Sequence, residues 1–327
     1  MMEVINPGIL TTIQDYGRFS YARMGVGKAG AIDGVSLHLA NRLVGNPGNT
    51  PALEVSVMTP VKFLFHQDTW IAVTGSNCTI VIDGRGQGWH GWRTFIKKGQ
   101  TVELRPAYNS GMYSYLAVAG GFDAPEVMGS FSTDIKNRLG GHKGDGSPLQ
   151  KGDHLTFGQP EYEIIQAVGV RAFSRTYIST SIFVLKGPEF EQFDADSQAR
   201  FFEEEWEISS NSNRMGIRLE GDALVRDQPQ EMRSQGVFEG VIQVPPSGQP
   251  LVLAAECQST GGYPRIAVIP QAELWKLAYL PARKKVQFRL IDEARAREKL
   301  EVQQQYLESV EYILAQPQRH QEVYYEK

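Results

Sequence analysis

Apolar residues along this chain come in short runs, each closed by glycine, proline or a polar cluster. Leu53-Glu54-Val55, Val61-Lys62-Phe63-Leu64-Phe65, Trp70-Ile71-Ala72-Val73 and Thr79-Ile80-Val81-Ile82 follow one another. Turns fall between them at Thr59-Pro60, Gly75-Ser76-Asn77, Asp83-Gly84 and Lys98-Gly99. Short runs rich in β-branched and aromatic residues predict strands, and this spacing predicts a barrel or sandwich. The pattern restarts near Gln159, with strands expected at Tyr162–Ile165, Ser181–Leu185, Gly240–Val244, Leu251–Ala255, Ile266–Ile269 and Val286–Leu290. Helical periodicity is rarer. Asp33 is placed as the N-cap of a helix lined by Leu37, Leu39, Ala40 and Leu43-Val44 and ended by Asn46-Pro47-Gly48. A short helix is expected over Asp194–Phe202. From Asp292 the chain reads as a charged helix with a narrow apolar stripe of Leu300, Tyr306-Leu307, Val310 and Ile313-Leu314. The expectation is a mainly β protein with a few helices. It divides into two β modules, 1–158 and 159–291, followed by a C-terminal helix over 292–327; exchange of strands between the modules is left open.

The 327 residues suffice for two cores. A formal net charge of −4 argues against a nucleic-acid binder, which shows a basic face. The only cysteines, Cys78 and Cys257, lie beside apolar segments and read as buried free thiols in a reducing compartment, with a disulfide between them as the alternative. No C-x-x-C suggests zinc, and the histidines (His38, His66, His90, His142, His154, His320) are scattered without ligand spacing. The N-terminus lacks the basic and apolar regions of a signal peptide, and no apolar run reaches membrane-spanning length. These features place the protein in the cytoplasm.

The richest polar stretch is Glu256-Cys257-Gln258-Ser259-Thr260-Gly261-Gly262-Tyr263-Pro264-Arg265, set between two expected core strands. Adjacent glycines allow unusual backbone conformations and close ligand approach, and Tyr263-Pro264 keeps the exit extended. The bland alternative is a tight hairpin. Other loops at strand ends carry Gln14, Asp15 and Arg18; Lys186-Gly187-Pro188-Glu189; and Asn213-Arg214. Trp89 and Trp92 are expected to cover a barrel or an interface, and the glycine-rich segment 129–153 a surface lid. Gly25-x-Gly27 lacks the third glycine and preceding strand of a dinucleotide fingerprint, and Lys143 among glycines does not satisfy the phosphate-loop pattern.

Together these residues resemble the allophanate hydrolase subunit 2, or biotin-dependent carboxyltransferase, family. The resemblance runs from about Val4 to Leu290. It is carried by Leu10–Asp15 with Gly17-Arg18, Gly30–Asp33, Ala40–Asn46, Ala117–Gly121, Gly129-Ser130 with Ser132–Asp134, Gly187–Glu189, Ser212–Gly216, Gln243–Pro246 and Gln258–Arg265. The family usually has aspartate where Glu256 stands and threonine where Ser259 stands. The resemblance implies two cyclophilin-like β-barrel modules and a complex with a smaller subunit of related fold, the allophanate hydrolase subunit 1 type.

The implied chemistry has three forms. The first is ATP-dependent opening of the 5-oxoproline lactam to glutamate, with Mg²⁺ and a further lactam-utilisation subunit, as in the bacterial 5-oxoprolinase branch of the family, which these motifs resemble. The second is carboxyl transfer from carboxybiotin to an amide such as urea; this chain has no Met-Lys-Met biotin carrier. The third is non-catalytic antagonism of a kinase inhibitor. Activation of a lactam needs cations against phosphate, carboxylates for metal or proton transfer, and polar groups that orient the amide. Asp15, Glu256 and Gln258 are the catalytic candidates. Gln14, Arg18, Asp33, Glu189, Asn213, Arg214, Thr260, Gly261, Gly262 and Tyr263 are the binding candidates, and no residue set stands out as metal ligands. For each there is a plainer role: lone arginines usually form ion pairs, and Asp33 caps its helix. The joint expectation is that Arg18, Arg214 and Gln258 converge on one cavity.

Overall fold

A computed structural model describes residues 1–108, 110–160, 166–171, 180–227 and 232–315. Strict alternation builds the first sheet. Met2 and Val4, like Val61, Phe63 and Phe65, are fully buried, while the residues between them face outward. In spatial order its strands are His154–Leu155, Met2–Asn6, Val61–Phe65, Thr101–Pro106, Cys78–Ile82 and Gly86–Gly88. A second sheet runs Thr11–Gln14, Ala52–Ser56, Tyr113–Val118, Thr69–Gly75 and Arg93–Ile96. The two share one core, where Val4, Phe63 and Leu104 meet Ile13, Leu53, Val55, Val73 and Leu116.

The second sheet is also covered on its other face. Ala52, Ala72, Tyr115 and Ala117 pack against Leu37, Ala40 and Leu43 of helix α1 (Gly34–Leu43). Burial on both faces explains why Tyr113–Val118 reads as a continuous rather than alternating run. As expected, Asp33 caps α1, its carboxylate accepting the Ser36 N–H at 2.9 Å.

The later strands close into a seven-stranded barrel in the order Ser181–Lys186, Arg265–Val268, Val241–Gln243, Leu251–Leu253, Gly216–Glu220, Trp206–Ile208 and Lys285–Leu290. Helix α2 (Ala195–Glu203), capped by Asp194, lays Phe201 on Phe288 at 4.9 Å between ring centroids, in a near-parallel stack. A short α3 (Gln271–Leu274) and α4 (Glu293–Ala315) complete the described helices. Glu311 of α4 meets His38 at 3.1 Å and Arg42 at 3.4 Å, fastening it to α1. The protein is thus mainly β, with a C-terminal helix. The expected strand Tyr162–Ile165 and the helix beyond Ala315 lie outside the described residues.

Four expectations change. The segment 129–153 is not a surface lid: Ser130, Ser132, Thr133 and Asp134 are all buried, and the Thr133 and Leu149 N–H groups donate to Ile13 and Thr11 carbonyls at 2.9 Å. The bland alternative for Glu256–Pro264 also falls: the strands before and after it are not hairpin partners, because each pairs with Val241–Gln243 instead. Trp89 and Trp92 stand at the surface, 63% and 46% exposed, so of the two roles expected for them the cover of an interface is the one that remains an expectation. On α4, Ile313 is 65% exposed, and the buried positions are Ala296, Gln303 and Val310, spaced by one heptad.

Candidate active site

A cavity of about 470 Å³ lies where the loop 18–28 meets the barrel segments 237–239 and 255–259. Two features hold its walls together. A Cβ on Gly27 would come within 2.7 Å of the Cys257 carbonyl oxygen, so only glycine lets these backbones touch. Lys28 then reaches Glu239 at 2.9 Å. Phe19, Val26 and Phe238 supply apolar wall, while Arg18, Gln258 and Ser259 supply polar groups. A mostly apolar pocket with a few convergent polar groups, at this volume, suits a small metabolite.

Arg18, one of the lining residues, is held in place by its neighbours. It is 2% exposed. Its Nε donates to the Val127 carbonyl at 3.1 Å and its Nη2 to the Ser132 carbonyl. Its Nη1 is buried and has no hydrogen-bond partner among the described residues. Burial lowers the Arg18 pKa, against the opposing pull of Asp134, Asp15 and Glu256. An unspent guanidinium N–H beside a cavity is a ready site for an anionic or carbonyl oxygen.

Asp15 builds the cradle that holds Arg18. Its carboxylate accepts from Gly17 N at 2.8 Å, Ser130 Oγ at 2.6 Å, Ser132 Oγ at 2.5 Å and Phe131 N at 2.9 Å. Both oxygens are engaged, and Asp15 does not line the cavity. Its geometry is that of a brace joining the Thr11–Arg18 and Ser130–Asp134 loops.

Arg214 anchors a second network behind the cavity wall. It is fully enclosed, with Nε donating to Glu256 at 2.6 Å, Nη1 to Glu54, and Nη2 to the Gly30 carbonyl at 2.6 Å. The other Glu54 oxygen accepts from Ile32 N at 3.0 Å and Tyr115 Oη at 2.6 Å. Burial alone would lower the Arg214 pKa, but Glu54 and Glu256 together raise it, so its charge is fixed. One guanidinium therefore serves two carboxylates. Burial, reinforced by Asp134 and Glu54, holds the Glu256 carboxyl above its usual range despite Arg214. Burial likewise raises Asp33 to about 6.

Among the expected residues, Arg18 and Gln258 share the cavity. Arg214 does not line it; it is committed to the ion network behind Glu256, which lies between the lining residues Ala255 and Cys257. Asp33 is spent on Ser36 and Tyr279. Glu189 is gripped by both ends of the Arg265 guanidinium at 2.8 and 2.7 Å. Gln14 donates to Thr12 and Thr133 within the fold. Asn213 accepts the Met215 N–H at 2.8 Å in a turn that sends Arg214 inward. Thr260, Gly261, Gly262 and Tyr263 also lie off the cavity. Neither Gly261 nor Gly262 has a positive φ, so the expected unusual conformation is absent. Gly261 instead leaves room for the Gln243 amide, 2.8 Å from where a Cβ would stand.

The sequence reading missed Lys28, Glu239 and Glu54. Glu54 had a visible signal, a carboxylate inside the run Leu53-Glu54-Val55. Cys257 lines the cavity, but burial pushes its thiol up to about 12, which makes it a poor nucleophile. Both cysteines are free and buried, as expected.

The family profile of the carboxyltransferase domain, subdomain A and B, matches residues 24–290. The chain is 42% identical to the C subunit of 5-oxoprolinase from Escherichia coli, over 96% of this chain and 99% of that one. It is 35% identical to the Haemophilus influenzae protein of the same name, again over 96% and 99%. Among solved structures, the K. lactis urea amidolyase superposes with a TM-score of 0.86 at 30% identity, covering 94% of this chain and 20% of that one.

Proposed function

The chain belongs to the family of the carboxyltransferase domain, subdomain A and B, and on that premise we propose that it is one component of a 5-oxoprolinase. With its partners it hydrolyses the lactam of 5-oxo-L-proline to L-glutamate, coupled to ATP hydrolysis. Similarity over nearly the whole chain to the C subunits of two bacterial 5-oxoprolinases supports this. The observation that carries the assignment of the site is that Arg18, whose buried Nη1 has no hydrogen-bond partner among the described residues, lines one cavity together with Gln258.

In this reading Arg18 receives the substrate carboxylate, the Gln258 amide orients the lactam, and Phe19, Val26 and Phe238 enclose the ring carbons. Water adds to the lactam carbonyl, the C–N bond breaks, and the ring nitrogen takes up a proton. Glu256 does not itself line the cavity, but its chain neighbours Ala255 and Cys257 do, and its raised carboxyl is the proton reservoir for that step. The sequence singles out no set of carboxylates for Mg²⁺, and the candidates for metal or proton transfer other than Glu256 have partners of their own. Asp15, Asp33 and Glu189 are spent on the fold, and the cavity carboxylate that the sequence does not single out, Glu239, is paired with Lys28. ATP with its metal is therefore assigned to a partner, and the smaller allophanate hydrolase subunit 1-type protein and a lactam-utilisation protein are the expected partners. The likeness to urea amidolyase favours a second reading, carboxyl transfer from biotin to an amide in the same cavity.

The test is co-purification with the partners and measurement of ADP release with and without 5-oxoproline. Lactam-dependent ADP release is expected, with Arg18→Gln losing at least about tenfold in kcat/KM, the loss of one charge-assisted bond. Lactam-independent ADP release, or an unaffected Arg18→Gln, overturns the reading. Carboxybiotin-dependent labelling of an amide would support the second.

A further inference from the structure

The outer face of the first sheet carries a cluster that plays no part in the cavity. Alternation buries Met2, Val4, Phe63, Phe65 and Leu155 and so turns Glu3 and His154 to the outside. Register places Glu3 directly opposite His154 on one neighbouring strand and Leu64 on the other. His66 is two residues beyond Leu64, on the same outward face. Its Nε2 lies 3.2 Å from Glu3 Oε2, and its ring centroid lies 6.1 Å from that of His154. One ligand atom from each of the three residues falls within 4.8 Å of the others. The His154 backbone is held in the ladder with Glu3, while its exposed imidazole makes no hydrogen bond to a described residue and is available.

We propose that Glu3, His66 and His154 form a binding site for a divalent transition-metal ion of the Zn²⁺ or Co²⁺ class. Two imidazoles and a carboxylate are the ligand types such ions prefer. At Zn–N and Zn–O bonds of about 2.1 Å, tetrahedral ligand atoms are about 3.4 Å apart. The Glu3–His66 pair already meets this spacing, and a small rotation of His154 completes it. The ion takes the position between Glu3 and His66, displacing any proton they share, and leaves the fourth coordination position to water. Because the ligands come from two adjacent strands and the residue just after a third, the ion ties the N-terminal strand to both neighbours.

The purified full chain is titrated with Zn²⁺ by calorimetry and with Co²⁺ by visible absorption. One equivalent is expected to bind saturably, with a Co²⁺ ligand-field band and a higher thermal midpoint in metal. His66→Ala, His154→Ala and the isosteric Glu3→Gln are each expected to weaken binding at least about tenfold. The His66→Ala/His154→Ala double variant, if folded by circular dichroism, should lose the thermal shift. Unchanged affinity in Glu3→Gln and the double variant, or no saturable binding below about 1 mM, overturns the proposal.

Discussion

Replacing Arg214 with methionine isolates what the buried ion network contributes. Methionine fills similar volume but strands Glu54 and Glu256, which lose donors from Nη1 and from Nε at 2.6 Å, and it leaves the Gly30 carbonyl without the Nη2 bond at 2.6 Å. Removing one partner of a buried ion pair costs ~3–5 kcal/mol, because the remaining charge stays desolvated. Here the remaining charge is a pair of carboxylates, which places the loss at the upper end while both are ionised. They escape part of it by binding protons in the folded state. The folded variant therefore holds protons that the folded parent does not, and the stability deficit must grow as pH rises above the carboxylate range. Urea unfolding of parent and variant at pH 5 and pH 8, compared through the midpoint and slope, measures it. The expected deficit is ~4–5 kcal/mol at pH 8 and clearly smaller at pH 5. Arg214→Lys should recover only part, since a point charge cannot span three acceptors in a fixed fork. A deficit below about 1 kcal/mol at pH 8, or one larger at pH 5, would refute the account.

Three further outcomes follow from the geometry. Asp33 is raised to about 6, so the folded protein binds its proton more tightly than the unfolded chain; its contribution is complete below about pH 4 and is lost through about pH 6, up to ~3 kcal/mol. Asp33→Asn keeps an N-cap acceptor for Ser36 and should flatten the stability profile between those values, and an unchanged slope would contradict the assignment. Gly27→Ala drives a Cβ against the Cys257 carbonyl oxygen at 2.7 Å, and should lower stability by ~1–3 kcal/mol and impair turnover together; wild-type behaviour in both would show that the contact yields. Cys257, with its thiol near 12 and 7% exposed, should resist iodoacetamide at pH 8 in the folded protein and react on unfolding, and Cys257→Ser should retain activity; rapid labelling of the folded chain would show an accessible thiolate.

Much of this molecule is written in local pattern. Period-two alternation in Met2–Asn6 and Val61–Phe65, the cap Asp33, and the free buried state of both cysteines require only neighbouring residues to be read, because backbone geometry alone sets which side a residue faces. The family resemblance is likewise a property of the order of residues. The site is different in kind. Arg214 finds Glu54 across 160 positions and Lys28 finds Glu239 across 211. Asp15 and Glu256 look alike in sequence, yet one is saturated by the Ser130–Ser132 loop and the other keeps a raised carboxyl beside the cavity. Glu3, His66 and His154 show no spacing at all until strand register sets them side by side. Local periodicity specifies a face but not the partner that will cover it. Strand pairing and the closing of the barrel against the first two sheets determine the partner, and with it which polar groups are spent on the fold and which are left for a ligand.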